Sequence, residues 1–151
     1  MTATREQAMV ALFNTLKSAT MADNVTPAFK LASRRIKLWG DVPAQQQPAL
    51  FLIETHETRM QQPPQGMPSK LLMKASAVVY TFTPDTGIPS TAMNLALDSI
   101  ERALKPDDLS RNVFTLGGIV YRCWVEGNII KTPGDLDGQG MAIVPILMLL
   151  P

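Results

Sequence analysis

Residues 49–83 read ALFLIETHETRMQQPPQGMPSKLLMKASAVVYTFT, and the fold turns on how this stretch divides. Ala49 to Glu57 opens almost wholly apolar, through Leu50, Phe51, Leu52 and Ile53, and then becomes polar. A strand that leaves a core and emerges at an edge has that pattern. Lys70 to Thr83 is a second strand of about a dozen residues, long against a usual five or six, and rich in Val78, Val79, Tyr80 and Phe82. Between them, Met60 to Ser69 holds Gln61, Gln62, Pro63, Pro64, Gln65, Gly66, Met67 and Pro68. That composition prefers extended, solvated backbone to a packed core. Two long strands with a polar tip predict a hairpin arm that projects beyond the core.

Upstream, Met9, Leu12, Phe13 and Leu16 fall on one face of a helix from about Thr4 to Ala19. Thr4 and Gln7 have the spacing of a capping box, which places the helix start. The pattern then breaks at Asn24, Pro27, Gly40 and Pro43, with Arg34 to Leu38 alternating charged and apolar side chains like a short strand. Asp41 to Pro48, with three consecutive glutamines, reads as a surface loop.

Downstream, Ser90 to Leu104 carries Met93, Ala96, Leu97, Ile100 and Leu104 on one helical face, and Pro106 stops it. Val113 to Leu116, the pair Gly117 and Gly118, and Ile119 to Glu126 read as a second hairpin, because paired glycines accept the positive φ of a tight turn. Its second arm alternates: Ile119, Tyr121, Cys123 and Val125 are assigned inward, and Val120, Arg122, Trp124 and Glu126 outward. Gly127 to Gly140 is a loop. Met141 to Leu150 is too apolar to be half exposed, so it is central or covered by a helix, with Pro145 demanding a bulge or local edge. The order predicts one α+β domain over residues 1–151, a mainly antiparallel sheet with two packed helices.

The length of 151 residues and 46% hydrophobic content suit a single core without staples. Fourteen Lys and Arg against thirteen Asp and Glu leave a net charge of +1, without the basic excess of a dedicated nucleic-acid binder. Cys123 is the one cysteine, so an intramolecular disulfide and a multi-cysteine metal site are excluded. The longest apolar run falls short of the roughly 18 residues that span a bilayer, and the N-terminal residues lack a signal-peptide pattern, so the chain is expected in the cytoplasm where it is made.

His56, the only histidine, would have to serve as the base of any Ser-His or Cys-His pair, and reads better as a solvated strand-end residue. Cys123 reads as a small buried hydrophobe. Asp135 and Asp137 in GDLDGQG fail the calcium-loop pattern, and Gly117-Gly118 lacks the lysine and helix of a phosphate loop. No catalytic, cofactor-binding or metal-ligating residue is therefore assigned. Arg34, Arg35 and Lys37 beside Trp39 form the densest cationic cluster, either a solvated strand face or a contact for nucleic acid or an acidic protein. Trp124, next to Arg122, lies under a helix or marks a contact surface. Met60 and Met67 flank the polar tip and either adapt to a partner or close the arm's base.

Taken in order, these segments resemble the tail terminator, or tail completion, proteins of long-tailed bacteriophages. The resemblance covers nearly the whole chain. It is carried by the N-terminal helix, Val42-Pro43, Pro48-Ala49-Leu50-Phe51 and the strand end Glu54-Thr55-His56-Glu57. Further on it rests on the helix from Asp98 to Leu104, Thr115-Leu116-Gly117-Gly118, and Ala142-Ile143-Val144-Pro145 within Gly140 to Pro151. It implies a non-enzymatic virion subunit, assembled in the host cytoplasm, commonly six to a ring. Such a ring caps the head-proximal end of the tail tube, ends its polymerisation, and meets the head completion or connector proteins. DNA passes through its lumen without specific binding, and no membrane is involved. The inter-subunit or partner contacts expected are Gln61, Gln62, Pro63, Pro64, Gln65, Met67, Arg34, Arg35, Trp39, Arg122 and Trp124. Asp98, Glu101, Asp107 and Asp108 are candidates to face the lumen. The rival readings are another neck component, a small cytoplasmic enzyme using His56 or Cys123, and a monomeric peptide-binding adaptor using an exposed sheet edge.

Overall fold

The structure, a computed structural model, describes residues 3–60 and 70–151. Helix α1 (Arg5–Lys17) starts where the sequence places it: the Thr4 hydroxyl accepts from the Gln7 amide, and the Gln7 side chain accepts from the Thr4 amide. Ala8, Met9, Leu12 and Leu16 form its buried stripe, with Phe13 packed at the margin. Helix α2 (Pro89–Ala103) opens on proline, whose missing N–H costs nothing in a first turn, and buries Met93, Ala96, Leu97 and Ile100.

Strand β1 (Leu31–Ser33) lies parallel to β2 (Ala49–Arg59). β2 pairs antiparallel with β3 (Leu71–Phe82) from Ala49↔Tyr80 to Arg59↔Leu71, with a bulge at Thr55. β3 pairs along its whole length with β6 (Gln139–Leu150), whose other edge takes β4 (Arg122–Val125) and β5 (Ile130–Thr132). The result is a mostly antiparallel six-stranded sheet in the order β1-β2-β3-β6-β4, with β5 also on β6. The α+β architecture expected from the sequence is what forms.

Both helices cover one face of this sheet. There, Leu50 and Leu52 of β2, Ala75, Ala77 and Val79 of β3, Val144, Ile146 and Met148 of β6, and Cys123 of β4 join the helical stripes in one cluster. The opposite face carries a smaller cluster at one end only. Phe51, Val78, Tyr80, Met141 and Ile143 lie under Val42 and Trp39, on a strap containing two single-turn 3-10 helices (Trp39–Asp41 and Ala44–Gln46). Tyr80 Oη donates to the Lys37 carbonyl at 2.6 Å, and Trp39 Nε1 to the Gly140 carbonyl at 3.1 Å, pinning the strap down.

Several expectations need correction. β3 does not leave the sheet as an arm: its outer residues Leu71 and Met73 are buried, because the equally long β6 runs beside them to Leu150. Only the outer half of β2 is exposed, from Glu54 to Arg59. The tip, with Gln61, Gln62, Pro63, Pro64, Gln65 and Met67, lies outside the described residues. Arg34 to Leu38 is not a strand. The strand is Leu31–Ser33, since Leu31 and Ala32 reach the clusters on either face, whereas Ile36 and Leu38 are exposed and Arg34 turns to Glu6 in a 2.8 Å ion pair.

The hairpin expected over residues 113–126 is reduced to one bridge, Phe114↔Cys123. Asp107 is the cause. Its carboxylate accepts from the Thr115 amide, the Thr115 hydroxyl and the Gly117 amide at 2.8–2.9 Å, and these bonds wind residues 115–118 into a turn with Leu116, Gly117 and Gly118 at positive φ. The winding shifts the alternation, so Val120 is buried and Tyr121 exposed, the reverse of their assignment; within β4, Cys123 is inward as expected. β5 interrupts the expected 127–140 loop as three exposed residues, too few to show a period. β6 is central, as its composition requires. At Pro145 the carbonyl accepts from the Glu126 amide, so the missing N–H faces that same flank, where β5 has ended and β4 begins.

Candidate functional site

The pairing register decides which side chains share the sheet's second face. Thr58, Leu72, Leu149 and Arg122 form one row across it, and His56, Lys74, Leu147 and Trp124 the next. The strap ends short of both rows. What remains is a surface with Leu72, Leu149 and Trp124 half-buried, Arg122 exposed, and Lys74 without an ion-pair partner among the described residues. Arg122 lays its guanidinium 4.6 Å from the centre of the Trp124 ring. At the sheet's end, Lys70 Nζ lies 4.9 Å from the centre of the Tyr121 ring. Two cation–π pairs hold rings and cations at this rim, each contributing about 0.5–1 kcal/mol at exposed sites.

Trp124 is therefore not under a helix: it lies opposite Leu147, on the face turned away from α1 and α2. Trp39 has a different job. It packs against Phe82 with ring centres 6.4 Å apart and roofs the smaller cluster at the far end of the face. Arg34 is tied to Glu6 beside the start of α1, and the hydrogen bond between them raises the guanidinium pKa and lowers that of the carboxyl. Arg35 is exposed. The structure thus brings Arg122 and Trp124 together and sets Arg34, Arg35 and Trp39 apart from them. Lys74, Leu72 and Leu149 were missed from the sequence. The available signal was Lys74 itself, a single cation inside an otherwise apolar run, LLMKASAVVY.

Cys123 is 2% exposed, and burial pushes its thiol up to about 12, leaving it protonated at neutral pH. His56 stands on the opposite face and three strands away, roughly 14 Å at about 4.8 Å per strand. The two do not form a dyad. In GDLDGQG the Asp137 carboxylate accepts from the Gln139 amide, the Gly138 amide donates to the Gly134 carbonyl, and the Gly138 carbonyl accepts from the Thr83 amide, a turn tied to the end of β3. Gly138 is required there, since its φ is +75° and a Cβ would collide with the Thr83 carbonyl.

A shallow groove of about 580 Å³ lies between α1 and the Gly117-Gly118 turn, lined by Val10, Ala11 and Ile119 with Glu6, Gln7 and Asn14 at its rim. Beside it, Arg5 grips Glu57 with two hydrogen bonds at 2.8 Å, joining the start of α1 to the outer half of β2. That bond raises the Arg5 pKa and lowers that of Glu57. Among the described residues no cluster of His, Cys, Asp and Glu is arranged to hold a metal ion, and no helix is long and apolar enough to cross a membrane.

Comparison of the chain with protein families returned no match, and comparison with curated proteins returned none either.

Proposed function

We propose that this chain is a structural subunit of a long-tailed phage particle. In this reading it is a tail terminator that assembles into a ring, commonly of six copies, at the head-proximal end of the tail tube, ends tube growth, and offers the surface that joins the head. The observation that carries the reading is the strap-free half of the sheet's second face. There an Arg122–Trp124 stack and Lys74 stand among half-buried leucines on the face turned away from both helices. Aromatic residues and arginine on a rigid, partly desolvated platform are what protein contacts are built from. The near-neutral charge of +1 suits a channel that DNA traverses, since phosphate contacts generate nonspecific affinity. The work asked of the protein is geometric, with one surface for a neighbouring copy and others for the tube and the head completion proteins.

Deletion of the gene in the phage that encodes it tests this directly. Overlong tails are expected. Tails of normal length that fail to join heads would instead make the protein another neck component, and infectious particles of normal form would end the structural reading.

A further inference from the structure

The two ends of β3 differ in charge. Where β3 begins, the bare half-face presents Lys74 and Arg122, with Lys70 beyond them over the Tyr121 ring. The carboxylates at its border, Glu126 where β4 ends and Glu101 across the outer edge of β4, both lie on the β4 flank. Glu54 and Glu57 of β2 are turned to the other face, since their partners in register, Ala75 and Met73, belong to the helix-covered cluster. Lys74 and Arg122 stand about 12 Å apart by strand spacing and rise, with Leu149 between them.

Eight residues beyond Lys74, about 26 Å along the strand, β3 ends at Phe82, and the Thr83 amide donates to the Gly138 carbonyl. The turn held there presents Asp135, Leu136 and Asp137, all exposed, Leu136 completely so at 101%. Its backbone is already fixed: the Gly138 amide donates to the Gly134 carbonyl at 2.7 Å, with both glycines at positive φ. A leucine on fixed backbone loses little further freedom when a partner covers it. Asp85, exposed on the segment leading to α2, adds a third carboxylate at this end. Of the cations on neighbouring elements, Lys131 donates to the Asn94 side chain on α2 at 2.6 Å, and Lys37 lies on the strap beside Tyr80. Neither forms an ion pair with these carboxylates.

We infer that the occupant of the bare half-face is the 134–138 turn of a second copy, with Leu136 set against Leu149 and Trp124, and Asp135 and Asp137 against Lys74 and Arg122. This specifies the subunit contact of the ring reading and rests on it. The charges select the pairing: face against face would oppose Lys74 and Arg122 to their own copies, and turn against turn would do the same to the aspartates. Because the two surfaces stand at opposite ends of β3, the contact is heterologous. Such a contact leaves one of each surface free at every step and continues until a rotation closes it into a ring.

The test uses the full-length protein and three variants at exposed positions, Leu136→Ser, Asp135→Lys and Arg122→Glu, with thermal melts to verify folding. Sedimentation over a wide concentration range should show self-association of the wild type that weakens with salt. Leu136→Ser should self-associate at least about tenfold more weakly at an unchanged melting temperature, because a fully exposed side chain stabilises only what covers it. Asp135→Lys and Arg122→Glu should each weaken association alone, as like charges now face each other, and an equimolar mixture of the two should restore it, since every interface then pairs Lys with Glu or Arg with Asp. Unchanged self-association of Leu136→Ser, no restoration on mixing, or a wild type that stays monomeric throughout would overturn the contact. If overlong tails follow deletion while any of these holds, the terminator reading stands and only this interface falls.

Discussion

The two halves of the sheet's second face are built from the same strands and end differently. At one end, Phe51 of β2, Tyr80 of β3 and Met141 of β6 are roofed by Trp39 and Val42, and the Phe51 and Tyr80 rings pack with centres 5.2 Å apart. At the other, Leu72, Leu149 and Trp124 have no roof among the described residues, and cations stand between them. An apolar sheet surface is stable in water when something covers it or when polar side chains break it up. The first half uses a strap from the same chain, and the second uses Arg122 and Lys74. The roofed half belongs to folding, and under the proposed reading the bare half belongs to assembly.

That division is open to direct attack. Phe51→Ala should have the largest effect, a loss of about 3–5 kcal/mol, because it empties a fully buried site between Tyr80 and the strap. A chemical denaturation midpoint close to the wild-type value would show that the roofed half is not a core. Next, Asp107→Ala removes the acceptor for two amides and one hydroxyl in the turn that leads into β4, and should cost about 1–3 kcal/mol. The amides of Gly117 and Thr115 hold the Asp107 carboxyl below its ordinary value, against the opposing pull of burial. Its contribution is therefore present above the unfolded-state pKa near 4 and is lost as pH falls through the lower folded value. The wild type should lose stability over that acidic range by more than Asp107→Ala does; parallel pH profiles would remove Asp107 from this role.

Trp39→Phe keeps an aromatic roof and deletes the bond to the Gly140 carbonyl, for an expected cost of about 1 kcal/mol. A loss several times larger, read from thermal melts, would mean that the indole's shape rather than its N–H holds the strap. Smallest in stability is Trp124→Ala, expected to stay within about 1 kcal/mol of wild type while sharply weakening self-association in sedimentation. A large fall in melting temperature with association intact would erase the distinction between the halves.

How much of this could be read beforehand depends on how local the cause is. The start of α1 follows from Thr4 and Gln7, three residues apart; the buried stripe of α2 follows from its own periodicity; and β6 is central because Met141 to Leu150 has no polar face to expose. β1 and β5 are three residues each, too short to carry a period, and exist because β2 and β6 have backbone groups to pair. The expected hairpin over 113–126 fails through Asp107, eight to ten residues from the groups it binds. Of the residues on the bare half-face, Arg122 and Trp124 were visible as outward positions of one strand. Lys74, Leu72 and Leu149 join them only through registers linking β3, β6 and β4.

The amino-acid pattern thus specified the two helices, the three long strands, the α+β class and the inert burial of Cys123, because each depends on periodicity and composition within a segment. Folding chose which half of the second face the strap covers. That choice rests on the Tyr80 hydroxyl reaching the Lys37 carbonyl and the Trp39 indole reaching the Gly140 carbonyl, 43 and 101 residues away along the chain. Pairings at such separations depend on how the sheet is ordered in space, so the surface the strap leaves uncovered emerges only once β2, β3, β6 and β4 lie side by side.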